Sequence, residues 1–430
     1  MTIQKRSLYN SPKMATQTTL SALLDPFKSL RSRVFAKLYF AQTISLLGDA
    51  FTWVGLALLA YQFGREQSAV ILSAALTLRV LAFILFSPFA GVLADRIDRK
   101  KIPYTTHFIR MAIVGCLPFV TAEWQIYSLV FLLNIFNAFF TPTYKSIIPQ
   151  VVEKAYYRQA IGLSTATFQL LGVLGPGLAG ILAVWLGARE IFFVDAASFV
   201  VAGVLILLLP GDLLNKASAK STAAKPLSAW ADVVKGARLL FGQPLIRFAL
   251  AIEFVSAVAG AQILVNTVGH VKEGLHLTDT YYGWVMGAFG IGATLAAFLS
   301  GSLDKTPSRR VSLIVGALLL GVAILGANAV SYPVLLGLWL CAGLGQSLAE
   351  TPSETLIGEN ITDAEQGKVY GSHFAFSHLW WAIAYPIAGY TGSHFPNANF
   401  LYGGLITLAL LLAAILIFRP KGKPTSKLAL

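Results

Sequence analysis

Few residues in this 430-residue chain could carry chemistry, and those few sit in apolar surroundings. Asp49, Arg79, Arg110, Glu253 and His378 each interrupt a long run of apolar side chains. A charge at the middle of a bilayer costs roughly 2.5–3.5 kcal/mol on insertion scales, so it normally faces a cavity or a partner. A carboxyl in a partly dry cavity holds its proton more tightly, and a nearby guanidinium loosens it again. Such a group can load and release a proton as the cavity opens first to one side and then to the other. Asp49 and Arg79 fall near mid-depth of consecutive apolar stretches. The spacing predicts either a proton-coupling carboxyl at Asp49 or a static Asp49–Arg79 ion pair. Arg110 and Glu253 lie about equally far into their own stretches, so Glu253 is either a second coupling carboxyl or the partner of Arg110. His378, nearer mid-depth than His373, is either a titrating relay or hydrogen-bonded packing. Asp195 reads as a solvated group near a helix end, and Glu350 and Glu354 as gate or loop charges around Thr351-Pro352.

Uncharged polar residues share these stretches. Gln42, Asn134, Asn137, Gln169, Gln262, Asn266 and Gln346 alternate with aromatic residues such as Phe136, Phe139, Phe140, Trp380 and Trp381. Such a lining suits an amphipathic organic solute, whereas a sugar phosphate would need more charge. Asn134 and Gln262 join Asp49, Arg79, Arg110, Glu253 and His378 as the expected cavity set.

The elements that must position these residues follow from composition. Hydrophobic residues make up 56% of the chain and charged residues 12%. A soluble domain carries about 25% charged residues, so an ordinary soluble enzyme is excluded. A spanning helix needs roughly 20 mostly apolar residues. The hydropathy pattern divides into twelve such segments, at about 35–63, 69–94, 102–121, 124–144, 159–187, 190–209, 245–269, 281–303, 311–330, 334–352, 370–393 and 399–418. Evenly long segments favour helices over the roughly ten-residue strands of a membrane barrel. The expected organisation is a tail over 1–33, a six-helix bundle over 34–210, a polar flexible linker over 211–244, a second bundle over 245–418 and a tail over 419–430. The net charge of +13 has a topological explanation. Of 33 Lys and Arg residues, 28 fall in the N-terminal tail and every second loop through to the C-terminus, and only Arg65, Arg189 and Lys272 in the opposite loops. The positive-inside rule then places both termini in the cytoplasm of a multi-pass protein of the cell (inner) membrane. The basic excess needs no nucleic acid as partner. Cys116 and Cys341 read as small core residues.

The chain also repeats itself. An offset of 210 residues takes Gly91 to Gly301, Leu93 to Leu303, Arg99 to Arg309, Thr141-Pro142 to Thr351-Pro352, and Pro176 to Pro386. Two parallel six-helix repeats about an axis along the membrane normal are expected, with a site between them.

Two motifs carry a family resemblance. Gly91-Val-Leu-Ala-Asp95-Arg96-Ile-Asp98-Arg99-Lys100 resembles the loop motif of the major facilitator superfamily, with Asp98 where the pattern prefers glycine. The resemblance implies a latch formed by Gly91, Asp95, Arg96, Arg99 and Lys100, and an all-α fold of twelve transmembrane helices. The second copy, at Gly301–Lys305, places its Asp one position early. In the fifth segment, Gly175-Pro176 and Gly180 resemble the superfamily's antiporter motif, which implies export. Gln42–Asp49 is similar to the first span of the drug and siderophore exporter branch, including macrolide-efflux-like and enterobactin-exporter-like proteins.

The expectation is a proton-coupled secondary transporter that exports an amphipathic or lipophilic small molecule and works as a monomer in the lipid bilayer. The alternative is an uncoupled facilitator or lysophospholipid flippase, and behind it a non-transporting sensor. No paired-His metal motif, nucleotide-phosphate loop or nucleophile–base set occurs, so no enzyme activity, metal or cofactor is expected.

Overall fold

The computed structural model describes residues 25–96, 100–153, 156–210, 226–303, 309–361 and 363–418. These residues are helical almost throughout, and no strand occurs among them. Their α-helices run in chain order as α1 Arg33–Gly64, α2 Ser68–Arg96, α3 Lys101–Cys116, α4 Glu123–Val151, α5 Tyr157–Leu186, α6 Ile191–Leu207, α7 Pro226–Gly242, α8 Pro244–Gly269, α9 Asp279–Leu303, α10 Arg309–Leu325, α11 Tyr332–Asn360, α12 Asp363–His394 and α13 Asn399–Ile417. Local chemistry marks their ends. Ser32 caps α1, its hydroxyl oxygen accepting from the Phe35 N–H at 3.3 Å while its O–H donates to the Val151 carbonyl at 2.8 Å. Gly187, at φ +107°, ends α5 in a conformation that favours glycine. Proline opens α8, where a missing N–H loses nothing.

The 210-residue offset holds at the level of whole elements. Shifted by it, α1 to α6 overlap α8 to α13 in order, and the 3₁₀ turn Leu117–Phe119 falls on Ala327–Ala329.

α7 departs from expectation. Part of the stretch read as a flexible linker forms this helix, because Leu227, Trp230, Val234, Ala237 and Phe241 recur at helical spacing. Its end is packed: Leu240 is buried, and the Phe241 ring meets Phe376 of α12 edge-on at 5.0 Å.

Large apolar side chains cover the outside, Trp185 being 82% and Ile417 72% exposed. An apolar belt on this scale marks a membrane surface. By length and hydropathy, the stretches Arg33–Ser87, Pro244–Gly274, Arg309–Ala329, Tyr332–Ser353 and Asn399–Ile417 are sufficient for a crossing. The chain is an integral membrane protein. Cys116 is exposed on this outer surface and Cys341 is half-buried, so neither is the fully enclosed core residue expected. In a membrane protein the outside is as apolar as the inside, and an apolar stretch does not distinguish them.

The two halves meet mainly through α5 against α9 and α2 against α12. Glycines set the closeness of the first pair. A Cβ on Gly177 would lie 2.9 Å from the Gly287 Cα, and one on Gly283 would lie 2.6 Å from the Gly180 carbonyl oxygen. In the second pair, Gly389 packs on Ser73 and Gly392 on Ala69. Tyr61 donates to Glu273 across the same face, and Lys272 pairs with Asp279 and lies 4.5 Å from the Tyr61 ring centre. All these contacts lie toward the ends opposite those that carry Arg33, Lys101 and Arg309–Arg310.

Candidate functional site

Two groups of buried ionisable residues occupy the bundle, one in each half. In the first, Arg110 of α3 donates from Nη2 to Asp49 Oδ1 at 2.7 Å. Arg110 is 1% exposed and Asp49 19%. The guanidinium also lies 4.0 Å from the centre of the Phe199 ring of α6, a cation–π contact that Lys would form less well. Asp195 of α6 completes the group. It is fully enclosed, accepting from the Thr52 hydroxyl of α1 and from the Ser198 hydroxyl at 3.0 Å. Gly48 makes room for it, since a Cβ there would collide with Asp195 Oδ1 and Ser198 Oγ.

This arrangement corrects two expectations. Asp49 pairs with Arg110 and not with Arg79. Arg79 instead places its guanidinium 4.0 Å from the Trp53 ring centre, and its charge acts on Tyr385 and His378 of α12. Nor is Asp195 a solvated helix-end group. Gly55 packs against Ile191 and Phe192, the first residues of α6, while α1 continues to Gly64. α6 therefore begins well below the end of α1, and counting from the helix start underestimates the depth of Asp195.

In the second half, Glu253 of α8 and His373 of α12 are buried together, Oε1 to Nε2 at 2.7 Å. Glu253 thus meets His373, not Arg110, and both partners lie in the second half. His373, set aside as too shallow, holds the contact. His378 bonds through Nδ1 to the Phe374 carbonyl at 2.8 Å and stacks near Phe374 and Phe83. Gln262 and Asn134 are both fully buried here. Gln262 accepts from Asn266 at 2.7 Å and from Thr391 at 3.0 Å, enclosed among α8, α12 and α13. Asn134 is fully buried, donating to Val130 O at 2.7 Å and accepting from Asn137. Gln262 thus ties α8 to α12, whereas both bonds of Asn134 stay within α4.

The sequence motifs are placed as follows. Gly91, Asp95 and Arg96 lie on the last turns of α2. Lys100 Nζ donates to the Leu209 carbonyl at 2.5 Å, and Arg99 lies outside the described residues, as do Asp304 and Lys305 of the second copy. Pro176 lies inside α5. Gly175 packs on Ala50 of α1, and Gly180 meets Gly283 of α9, so the antiporter-like motif forms both an intra-half and an inter-half contact. Among the described residues no cluster of three or more His, Cys, Asp or Glu could hold a metal.

Residues 38–266 and 250–429 match the profile described as Major Facilitator Superfamily. The chain belongs to that superfamily. A major facilitator protein of this kind is a transporter and not an enzyme, and its relatives agree. It is 25% identical to the multidrug efflux pump Tap of Mycolicibacterium fortuitum, over 89% of this chain and 94% of Tap. It is 27% identical to the uncharacterized MFS-type transporter YfiS of Bacillus subtilis, over 77% of this chain and 80% of YfiS. A shorter match, 28% identical over 41% of this chain and 44% of the relative, is to macrolide efflux protein A of Streptococcus pyogenes. The likeness to the drug-exporter branch expected from Gln42–Asp49 is thereby borne out. Among solved structures, the nucleoside transporter NupG aligns with a TM-score of 0.68 at 15% identity, over 90% of this chain and 100% of NupG. A bacterial homologue of the human lysosomal transporter Spinster, solved inward-facing, aligns with a TM-score of 0.66 at 15% identity, over 90% of this chain and 96% of that one. At such identity these structures show the fold alone.

Proposed function

We propose that this major facilitator protein is a proton-coupled exporter of an amphipathic or lipophilic small molecule, working by alternating access as a monomer. All helices except α7 span the cell (inner) membrane, with both termini in the cytoplasm. The buried Asp49–Arg110 pair carries the reading. A carboxylate held at mid-helix by a guanidinium, and itself partly exposed, is the group that a changing cavity would protonate and release. Relatives that are multidrug and macrolide efflux pumps favour export. Arg79 over Trp53, with its charge acting on Tyr385 and His378 of the other half, suits a solute with a flat apolar body and a polar group. With the basic loops inside, the glycine-lined contacts close the outer face, and the conformation is inward-facing.

The test is flux of the fluorescent amphipathic cation ethidium in proteoliposomes, with and without a pH gradient. The wild type accumulates ethidium against its gradient, and Asp49→Asn lowers the gradient-driven part by about tenfold or more, equivalent to about 1.4 kcal/mol or more in the barrier to coupled transport. Undiminished driven flux in Asp49→Asn removes Asp49 from coupling. Ethidium flux in the wild type that ignores the pH gradient supports the uncoupled facilitator, and movement of a labelled lysophospholipid between leaflets supports the flippase.

A further inference from the structure

We infer that Asp195 is a second proton-holding residue, and that Arg110 serves Asp49 and Asp195 in alternation. The inference rests on the proton-coupled reading above and adds to it a storage site inside the first half. Three helices enclose the site. The charged groups that face Asp195 are Asp49 from α1 and Arg110 from α3. His107, one turn before Arg110, packs on Phe140 at 4.7 Å and Phe199 at 5.8 Å and meets neither carboxylate. Two carboxyl groups therefore share one cation in an apolar enclosure. Neighbouring like charges with a single guanidinium for the two do not both ionise. In the structure the guanidinium is on Asp49, so the proton belongs to Asp195, and the Thr52 or Ser198 hydroxyl, which donates to the carboxylate, turns to accept from the acid.

The exchange balances. The O–H bond on Asp195 breaks, an O–H bond forms on Asp49, and the guanidinium moves from Asp49 to Asp195, with no change in net charge. Asp49, the partly exposed member, is where the proton enters and leaves the protein. Asp195, wholly enclosed, is where it waits. The exchange also gives the proton mechanical leverage, because the ion pair that ties α1 to α3 is replaced by one that ties α3 to α6.

Infrared difference spectroscopy of the purified full-length protein, with 13C-carboxyl aspartate incorporated, reads the proton directly and needs no substrate. At neutral pH the wild type is expected to show the C=O band of a protonated aspartic acid, shifted by the label, and Asp195→Asn to lose it. Asp195→Glu keeps the assignment testable should the amide variant misfold, since the acid band then escapes the aspartate label. A wild type without a protonated aspartic acid, or a band unchanged in Asp195→Asn and Asp195→Glu, overturns the inference. Ethidium flux separates the two levels of the argument. Wild-type flux indifferent to pH sinks the coupling reading, and the coupling role of Asp195 with it. Gradient-driven flux in the wild type that Asp195→Asn retains within twofold sinks only the inference, and an approximately tenfold loss supports it.

Discussion

At the scale of residues, Asp49 with Arg110 and Glu253 with His373 each form a pair within one half. Removing one member of a buried ion pair leaves the other uncompensated, at about 3–5 kcal/mol. Asp49→Asn and Arg110→Gln are each expected to lower thermal stability in detergent, and the double variant to lose less than the sum of the two. Additive losses would mean that the pair has no energetic coupling. Arg110→Lys should not rescue, because it forfeits the stacking on Phe199 as well as the planar fork. Gly48 gives a second prediction. Gly48→Ala inserts a methyl where Asp195 and Ser198 lie, and overpacking of this kind costs about 1–3 kcal/mol. The variant should melt earlier and lose pH-driven ethidium flux, whereas the same substitution at Gly115, where nothing lies within 4 Å, should change neither. Sequence reasoning found Asp49, Arg110 and Glu253, because a charge in an apolar run is visible without a structure. It mispaired them, since Asp49 and Arg110 lie 61 positions apart and Glu253 and His373 lie 120 apart. The depth of Asp195 and His373 is not legible in the sequence, because counting from a segment's start assumes that all helices begin at one level.

At the scale of elements, the contact between α5 and α9 depends on glycine facing glycine. Gly180→Leu places a branched side chain against the Gly283 backbone, which cannot yield as a flexible side chain does. The expected result is a population shift away from the closed outer face. It is measured as a longer electron–electron distance between spin labels at Trp124→Cys and Val334→Cys, both exposed near that face, in a Cys116→Ser/Cys341→Ser background. An unchanged distance distribution would show that helix packing elsewhere fixes the conformation. The elements themselves were largely legible, because bilayer thickness imposes a length and a composition on any spanning helix. α7 was not, since its apolar residues are diluted by Ala and Lys and its ordering depends on α12.

At the scale of the whole molecule, the halves are alike in their helices and unlike in their chemistry. The repeat aligns every helix of one half with a helix of the other. Yet the first half carries two carboxyls around an arginine, and the second a glutamate against a histidine. Rocking of one half against the other should therefore depend on release of the contacts at the closed face. Ser68→Cys with Gly269→Cys, in the same cysteine-free background, brings two thiols together across α2 and α8, where a Cβ on Gly269 would lie 3.5 Å from Ser68 Oγ. Oxidation is expected to arrest ethidium flux and reduction to restore it. Cross-linked protein that still transports would exclude a mechanism that opens this face.

The sequence by itself determined that the chain lives in a membrane, which loops are basic, that it is built twice at an offset of 210 residues, and which side chains pay the cost of charge in an apolar run. Each of these is a property of neighbouring residues and is written in composition, length and spacing. Only the tertiary structure decided that Arg110 belongs to Asp49, that Asp195 lies beside them, that Glu253 belongs to His373, and that Gln262 fastens α8 to α12. Those assignments depend on how far one helix is displaced along its neighbour and which face it turns. In an apolar helix nearly every face can be buried or exposed to lipid at similar cost, so only the packing chooses.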